Sequence, residues 1–242
     1  MENTIRELIK DADLVLIGIG KEFERYTFLQ EADVLQALNN LAKIVEKKNY
    51  FVVSICTNDI AKRSNFQRDR VVQPCGTIEQ KQCANRCEEG LSSLREAEYE
   101  QVLQQVKTSN ASGEGMEDLL NDLSKIDLDI CPKCGEKLIL NTVYTENYDE
   151  NGYLKDWSRY TKWLQGTLNK KLCVLELGVD LTYPSIIRWP FEKVAFYNNI
   201  AHFVRVNERL YHMSEEIKDK GISIPQNAVQ WLMEDKLDDS NH

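Results

Sequence analysis

Continuous apolar runs alternate along this chain with stretches in which apolar residues recur every three or four positions. Leu14-Val15-Leu16-Ile17 leading into Gly18-Ile19-Gly20, Tyr50 to Cys56, Leu172 to Leu177 and Phe203 to Val206 are apolar on both faces, the pattern of strands buried within a parallel sheet. Arg70 to Val72, Lys137 to Val143 and Ile222 to Ile224 are shorter strand candidates. Val34, Leu35, Leu38, Leu41, Ala42 and Val45 have helical spacing and predict a helix over 32–47. Further helices are expected over 5–12, 154–168, 191–198 and 228–234. Strands separated by helices predict an α/β fold, a Rossmann-like and mostly parallel sheet with helices on both faces.

One stretch breaks the alternation. Residues 88–130 hold 11 acidic and 3 basic side chains, a charge of −8 out of −9 for the whole chain. Two helical patterns, roughly 89–107 and 115–125, flank a polar loop over 108–115. The expected organisation is a Rossmann-like domain formed by 1–80 and 151–242, interrupted by a small module over 81–150. Charged helices of this kind serve as a solvated face or as a docking surface for a basic protein partner. The end of the chain, from Glu234, reads as a disordered tail.

The charge, 30 basic against 39 acidic residues, argues against nucleic acid or an anionic membrane as the main partner. No apolar run approaches the ~20 residues that span a bilayer, and the start has no basic-then-apolar leader pattern. Seven cysteines, an odd number without an export signal, read as thiols and metal ligands, and a cytoplasmic location is expected.

Cys131-Pro132-Lys133-Cys134-Gly135 is the sharpest local motif, two thiols three positions apart on a tight knuckle, which is half of a tetrahedral zinc site. Its partner is Cys83-Ala84-Asn85-Arg86-Cys87, one residue longer than the usual spacing. Four sulfur ligands leave no open position, so the zinc would be structural; loop thiols or a redox pair are the alternatives. Gly18-Ile19-Gly20 follows a strand, but the third glycine of a dinucleotide fingerprint is replaced by Phe23. Gly178-Val179-Asp180 and Asn207 end two other strands, where parallel sheets hold ligands. His202, His212 and His242 form no catalytic arrangement by spacing.

Taken in order, these pieces resemble the sirtuin family of NAD-dependent protein deacylases. Gly18-Ile19-Gly20 stands for the family's GAG, Thr57-Asn58-Asp59-Ile60-Ala61 for TQNID, Cys75-Gly76 for HG, and the two cysteine pairs for its zinc ligands. Gly178-Val179-Asp180 stands for GTS and Val204-Arg205-Val206-Asn207 for the last strand end. The resemblance implies NAD as cofactor, structural zinc on Cys83, Cys87, Cys131 and Cys134, and NAD contacts at Gly18, Gly20, Thr57, Asn58, Gly178, Asp180 and Asn207. It implies an acylated protein or peptide as the other substrate.

The departures lie at the reactive end. Cys75 stands where the family has its histidine base, and Asp59 and Ala61 where it has the asparagine and aspartate of TQNID. The segment from Lys21 to Tyr26 does not match the loop after GAG, and Tyr144-Thr145-Glu146-Asn147 does not match the peptide-pairing FGE. Three functions follow: an NAD-dependent deacylase or ADP-ribosyl transferase using Cys75 and Asp59; a pseudoenzyme that senses NAD or ADP-ribose; or a scaffold. Cys75 could act only with its thiol pKa depressed by its neighbours.

Overall fold

The computed structural model describes residues 4–24, 31–87, 90–112, 123 and 125–234. The chain opens with α1 (Ile5–Asp11), β1 (Leu14–Ile19), a 3-10 turn (Lys21–Phe23), α2 (Glu31–Val45), β2 (Asn49–Ser54), α3 (Ile60–Arg63) and β3 (Val71–Val72). A second group follows: β4 (Gly76–Cys83), β5 (Leu91–Ser93), α4 (Glu96–Ser112) and β6 (Leu138–Thr142). The chain then returns through α5 (Asn151–Gln165), β7 (Leu172–Leu177), α6 (Arg188–Tyr197), β8 (His202–Val206), β9 (Gly221–Ile224) and α7 (Ala228–Met233).

The first and last groups share a six-stranded sheet in the order β3-β2-β1-β7-β8-β9, parallel throughout. The two faces of β1 explain its unbroken apolar run. Val15, Ile17 and Ile19 join a core with Ile5, Leu38 and Trp231 from α1, α2 and α7, while Leu14 and Leu16 join another with Tyr160 and Phe191 from α5 and α6. Successive side chains of a strand alternate between faces, so both positions of each pair must be apolar when helices cover both. The order reverses between β1 and β7, which opens a crevice at their carboxyl ends.

The middle group forms an antiparallel sheet, β5-β4-β6, with its own core of Ile78, Val102, Leu123, Leu128 and Leu140. β4 carries a register shift between Thr77 and Lys81, a bulge, and it starts at Gly76, ahead of the expected boundary at 81. Two expectations fail here. The helix of this region begins at Glu96, after β5, and continues through Thr108 to Ser112, which the polar composition had assigned to a loop. Helix continuation adds one hydrogen bond per residue, which outweighs the weak propensity of these small polar residues. The second helical pattern and the expected tail from Glu234 both fall largely outside the described residues.

Candidate functional site

At the switch point the glycines are there to let chain meet chain. A Cβ on Gly18 would come within 2.6 Å of Ile187 and 2.8 Å of Phe191, so this glycine admits α6 against the sheet. A Cβ on Gly20 would lie 2.2 Å from the Gly178 carbonyl, and Gly178 itself adopts a φ of +60°. The backbone N–H of Gly20 donates to Leu177 at 2.9 Å, and that of Gly178 to Val206 at 2.8 Å, stitching the strand ends together. Glu22 lies over this junction. Its carboxylate accepts the N–H of Glu208 at 3.0 Å and that of Ala228 at 2.6 Å, and burial pushes its pKa up. A fixed anion of the chain therefore occupies backbone donors at the carboxyl edge where a dinucleotide phosphate would approach.

Asn207 and Asp180 are committed to their own turns. Asn207 donates to the Val179 carbonyl at 3.0 Å and accepts from the N–H of Arg209 and Leu210 at 2.9 and 2.6 Å. Asp180 accepts the N–H and hydroxyl of Thr182 at 3.0 and 2.7 Å.

Beside β2 a polar cluster fills the base of the crevice. Lys21, 5% exposed, pairs with Glu24 and donates to the Tyr144 hydroxyl at 2.9 Å. Burial alone would lower the Lys21 pKa; Glu24, Cys56 and Tyr144 more than offset it, so the ammonium stays charged. Glu24 also accepts the Thr57 N–H at 2.6 Å and the Thr57 hydroxyl, and Asn58 donates to the Phe23 carbonyl at 3.3 Å. Thr57 and Asn58 thus hold the segment after Gly20. Cys75 is fully buried, and burial pushes its thiol up to about 12 against the opposing pull of Lys21. The depressed pKa that a base or nucleophile at this position would need is absent.

Asp59 follows on the same turn, where its Oδ1 is buried without a conventional donor. Its neighbour is Glu79, which lies at the register shift of β4. The Tyr99 hydroxyl of α4 donates to Glu79 at 3.3 Å, and Arg63, paired with Glu31, bears on the same carboxyl. Burial and then Asp59 push Glu79 up to about 7.

The four predicted cysteines converge: every pair of Sγ atoms among Cys83, Cys87, Cys131 and Cys134 lies within 4.8 Å. Cys83 and Cys134 approach to 3.4 Å and Cys87 and Cys131 to 3.3 Å. A tetrahedral zinc with Zn–S of about 2.3 Å needs sulfurs about 3.8 Å apart, so the four thiols fit the ion as a closed structural site. Gly135 at φ +75° and Arg86 at φ +50° make the two turns that aim the sulfurs inward. The longer first spacing is absorbed by the turn at Arg86, whose N–H donates to the Cys83 carbonyl at 2.9 Å.

Glu79 and Tyr99 were not singled out from sequence, and Lys21, Glu22 and Glu24 entered only within the segment that does not match the family's loop. No local pattern marks them; only their convergence does.

No family model matches the chain. A curated protein ADP-ribosyltransferase of Staphylococcus aureus (strain Mu50) is 20% identical over 188 residues, 77% of this chain and 56% of its own length. The chain therefore spans little more than half of that relative. Among solved structures, Sir2Tm bound to a propionylated peptide superposes with a TM-score of 0.57 at 14% identity, covering 96% of this chain and 95% of that one. A Sir2 enzyme bound to an acetylated peptide gives 0.55 at 15% identity, over 96% and 95% of the two chains. A Sir2 homologue mutant in complex with ADP-ribose gives 0.58 at 10% identity, over 97% and 94%. The fold is sirtuin-like over 96% of the chain.

Proposed function

We propose that this protein binds NAD as a co-substrate and transfers its ADP-ribose to a protein acceptor. The observation that carries the reading is a sirtuin-like fold across 96% of the chain, with the strand order reversing between β1 and β7 as at a topological switch point. Likeness to an ADP-ribosyltransferase over 77% of the chain favours ADP-ribosyl transfer over deacylation, and so does the buried thiol at Cys75 in place of an imidazole base. Deacylation of an acylated peptide is the variant that the peptide complexes of Sir2 enzymes support. Gly20, Thr57, Asn58 and Gly178 form the walls that NAD would meet, and Glu22 must release its two backbone donors for a pyrophosphate to use them.

A second reading is favoured by those same contacts. With Glu22 on the backbone donors and Lys21–Glu24 at the base of the crevice, the protein would bind NAD or ADP-ribose without turnover and act as a sensor. Seven thiols without a disulfide support a reducing, cytoplasmic setting, and no helix among the described residues is long and apolar enough to cross a membrane. On its charge of −8, the acidic 88–130 stretch is the segment we assign to a basic protein partner. The module boundary belongs near Gly76, where β4 begins.

Calorimetric titration with NAD and with ADP-ribose, followed by nicotinamide release, tests both readings. Binding with release supports the transferase, and binding without release on a panel of acceptor proteins supports the sensor. No heat and no thermal stabilisation from either nucleotide overturns both.

A further inference from the structure

A helix on the surface of a domain normally turns polar side chains to water, and α6 does not. Its inner face is apolar because it covers the parallel sheet: Phe191 and Ala195 are buried there, and Phe191 packs over Gly18. Its outer face is aromatic. Trp189 is 56% exposed, Phe196 42% and Tyr197 70%, and Lys193 is the one other exposed position of the helix. These four residues stand at i, i+4, i+7 and i+8, so they share one arc of about 100°. The Phe196 and Tyr197 rings meet at 5.1 Å. Two more apolar side chains carry the strip past the end of the helix. Ile200 is exposed just beyond it, and Leu168 is exposed on the turn that Asn198 fixes by donating to the Thr167 and Lys170 carbonyls at 3.0 Å each.

We propose that α6 is a self-pairing face, across which two copies of this chain associate about a two-fold axis through Trp189, Phe196 and Tyr197. The pairing is independent of the nucleotide reading above. A helix apolar all round is one that is covered on both sides, and the sheet covers only one side of α6. Two observations select a second copy as the cover. The first is area. At these exposures the five apolar side chains leave about 500 Å² on each copy, and two copies would bury about 1,000 Å², which reaches the lower bound for a specific interface. A two-fold contact sets this patch against itself, so each aromatic side chain meets a surface as apolar as its own. Aromatic residues with few charges are also what the buried centre of a homodimer interface contains. The second is charge. Residues 88–130 carry −8 of the chain's −9, which leaves −1 for all other residues, and the outer arc of α6 bears the single charge of Lys193. Two copies meeting through α6 therefore avoid the repulsion that pairing through the acidic stretch would bring.

The test is the mass of the zinc-loaded full chain by sedimentation equilibrium, from about 1 μM to about 1 mM. We expect a reversible monomer–dimer equilibrium in this range. The double variant Trp189→Ser, Tyr197→Glu should keep the wild-type far-ultraviolet circular dichroism, since both side chains lie outside the core, and raise the dissociation constant about a hundredfold. A wild type that stays monomeric throughout overturns the proposal, whatever the variant does. A dimer that the folded double variant leaves unchanged overturns the assignment to α6. Amide hydrogen exchange on the wild type needs no variant. Protection over 189–200 should rise with protein concentration, and a dimer that leaves this segment's exchange unaltered also overturns the assignment. A chain that stays monomeric and instead floats with phosphatidylcholine vesicles would give the face to a lipid surface, which overturns self-pairing.

Discussion

A methyl group on Gly20 would lie 2.2 Å from the Gly178 carbonyl and 2.3 Å from the Val179 Cα, backbone that cannot rotate away. The methyl of Gly18→Ala would meet Ile187 and Phe191 side chains, which can shift. Gly20→Ala should therefore cost about 3 kcal/mol and Gly18→Ala about 1 kcal/mol, read from urea midpoints at constant m-value. Equal losses would mean that the loops after β1 and β7 do not meet as described. Cys75 makes the opposite prediction. As a fully buried, neutral thiol it should be dispensable for chemistry, so Cys75→Ala should keep nicotinamide release within about threefold; a loss of a hundredfold, about 2.7 kcal/mol, would return it to the mechanism. Both glycines and the cysteine were visible in the sequence, yet their roles were not. Spacing gives a residue's place along the chain, whereas what faces its Cβ or surrounds its thiol depends on segments more than a hundred residues away.

At the scale of elements, Glu176 ties β7 to β8, α6 and the loop after β8. It accepts from Arg205 at 2.6 and 3.0 Å and from Arg188 at 2.6 Å, and Arg205 also reaches Glu192 at 2.7 Å and the His212 carbonyl. Arg205→Met strips most of the compensation from a carboxylate with no exposure, and should destabilise by about 3–5 kcal/mol. A second ion cluster sets the acid limit of the cysteine module. Burial alone would raise the Glu98 pKa, but Arg95 and Lys81 outweigh it and hold the carboxyl at about 2, from an ordinary 4.5. A folded-state pKa below the unfolded one gives stability that is complete above pH 4.5 and lost as pH falls toward about 2. Acid unfolding of the module should follow that window, and Glu98→Gln should flatten it. Most strands of the parallel sheet were legible, because a run buried on both faces needs no partner to be recognised. β4 was not, because Thr77-Ile78-Glu79-Gln80-Lys81-Gln82 alternates poorly and its bulge breaks the period of two. β5, three residues long and partly exposed, carries too little apolar signal to show.

The molecule as a whole is two sheets joined at the turn after β2, where the Ile78 N–H donates to the Thr57 carbonyl at 2.8 Å. The parallel sheet has a core on each face, and the smaller sheet has its own, built on Ile78, Val102, Leu123, Leu128 and Leu140, which is slight. Stripping zinc with a chelator should therefore loosen the module first and leave the parallel sheet cooperative, seen as amide exchange rising in β4 and β6 but not in β1 or β7. Uniform protection after chelation would mean that the thiols hold no structural metal. The sequence by itself determined the parallel α/β layer, the order of its strands along the chain and the four cysteines, because burial on both faces and ligand chemistry are local requirements written in runs and spacings. Only the tertiary structure decided that Glu22 caps the crevice, that Lys21 and Glu24 fill its base, and that Cys75 is sealed. Those are meetings of charged residues from different elements, and a charge on its own carries no signature in sequence until folding gives it a partner and takes away its water.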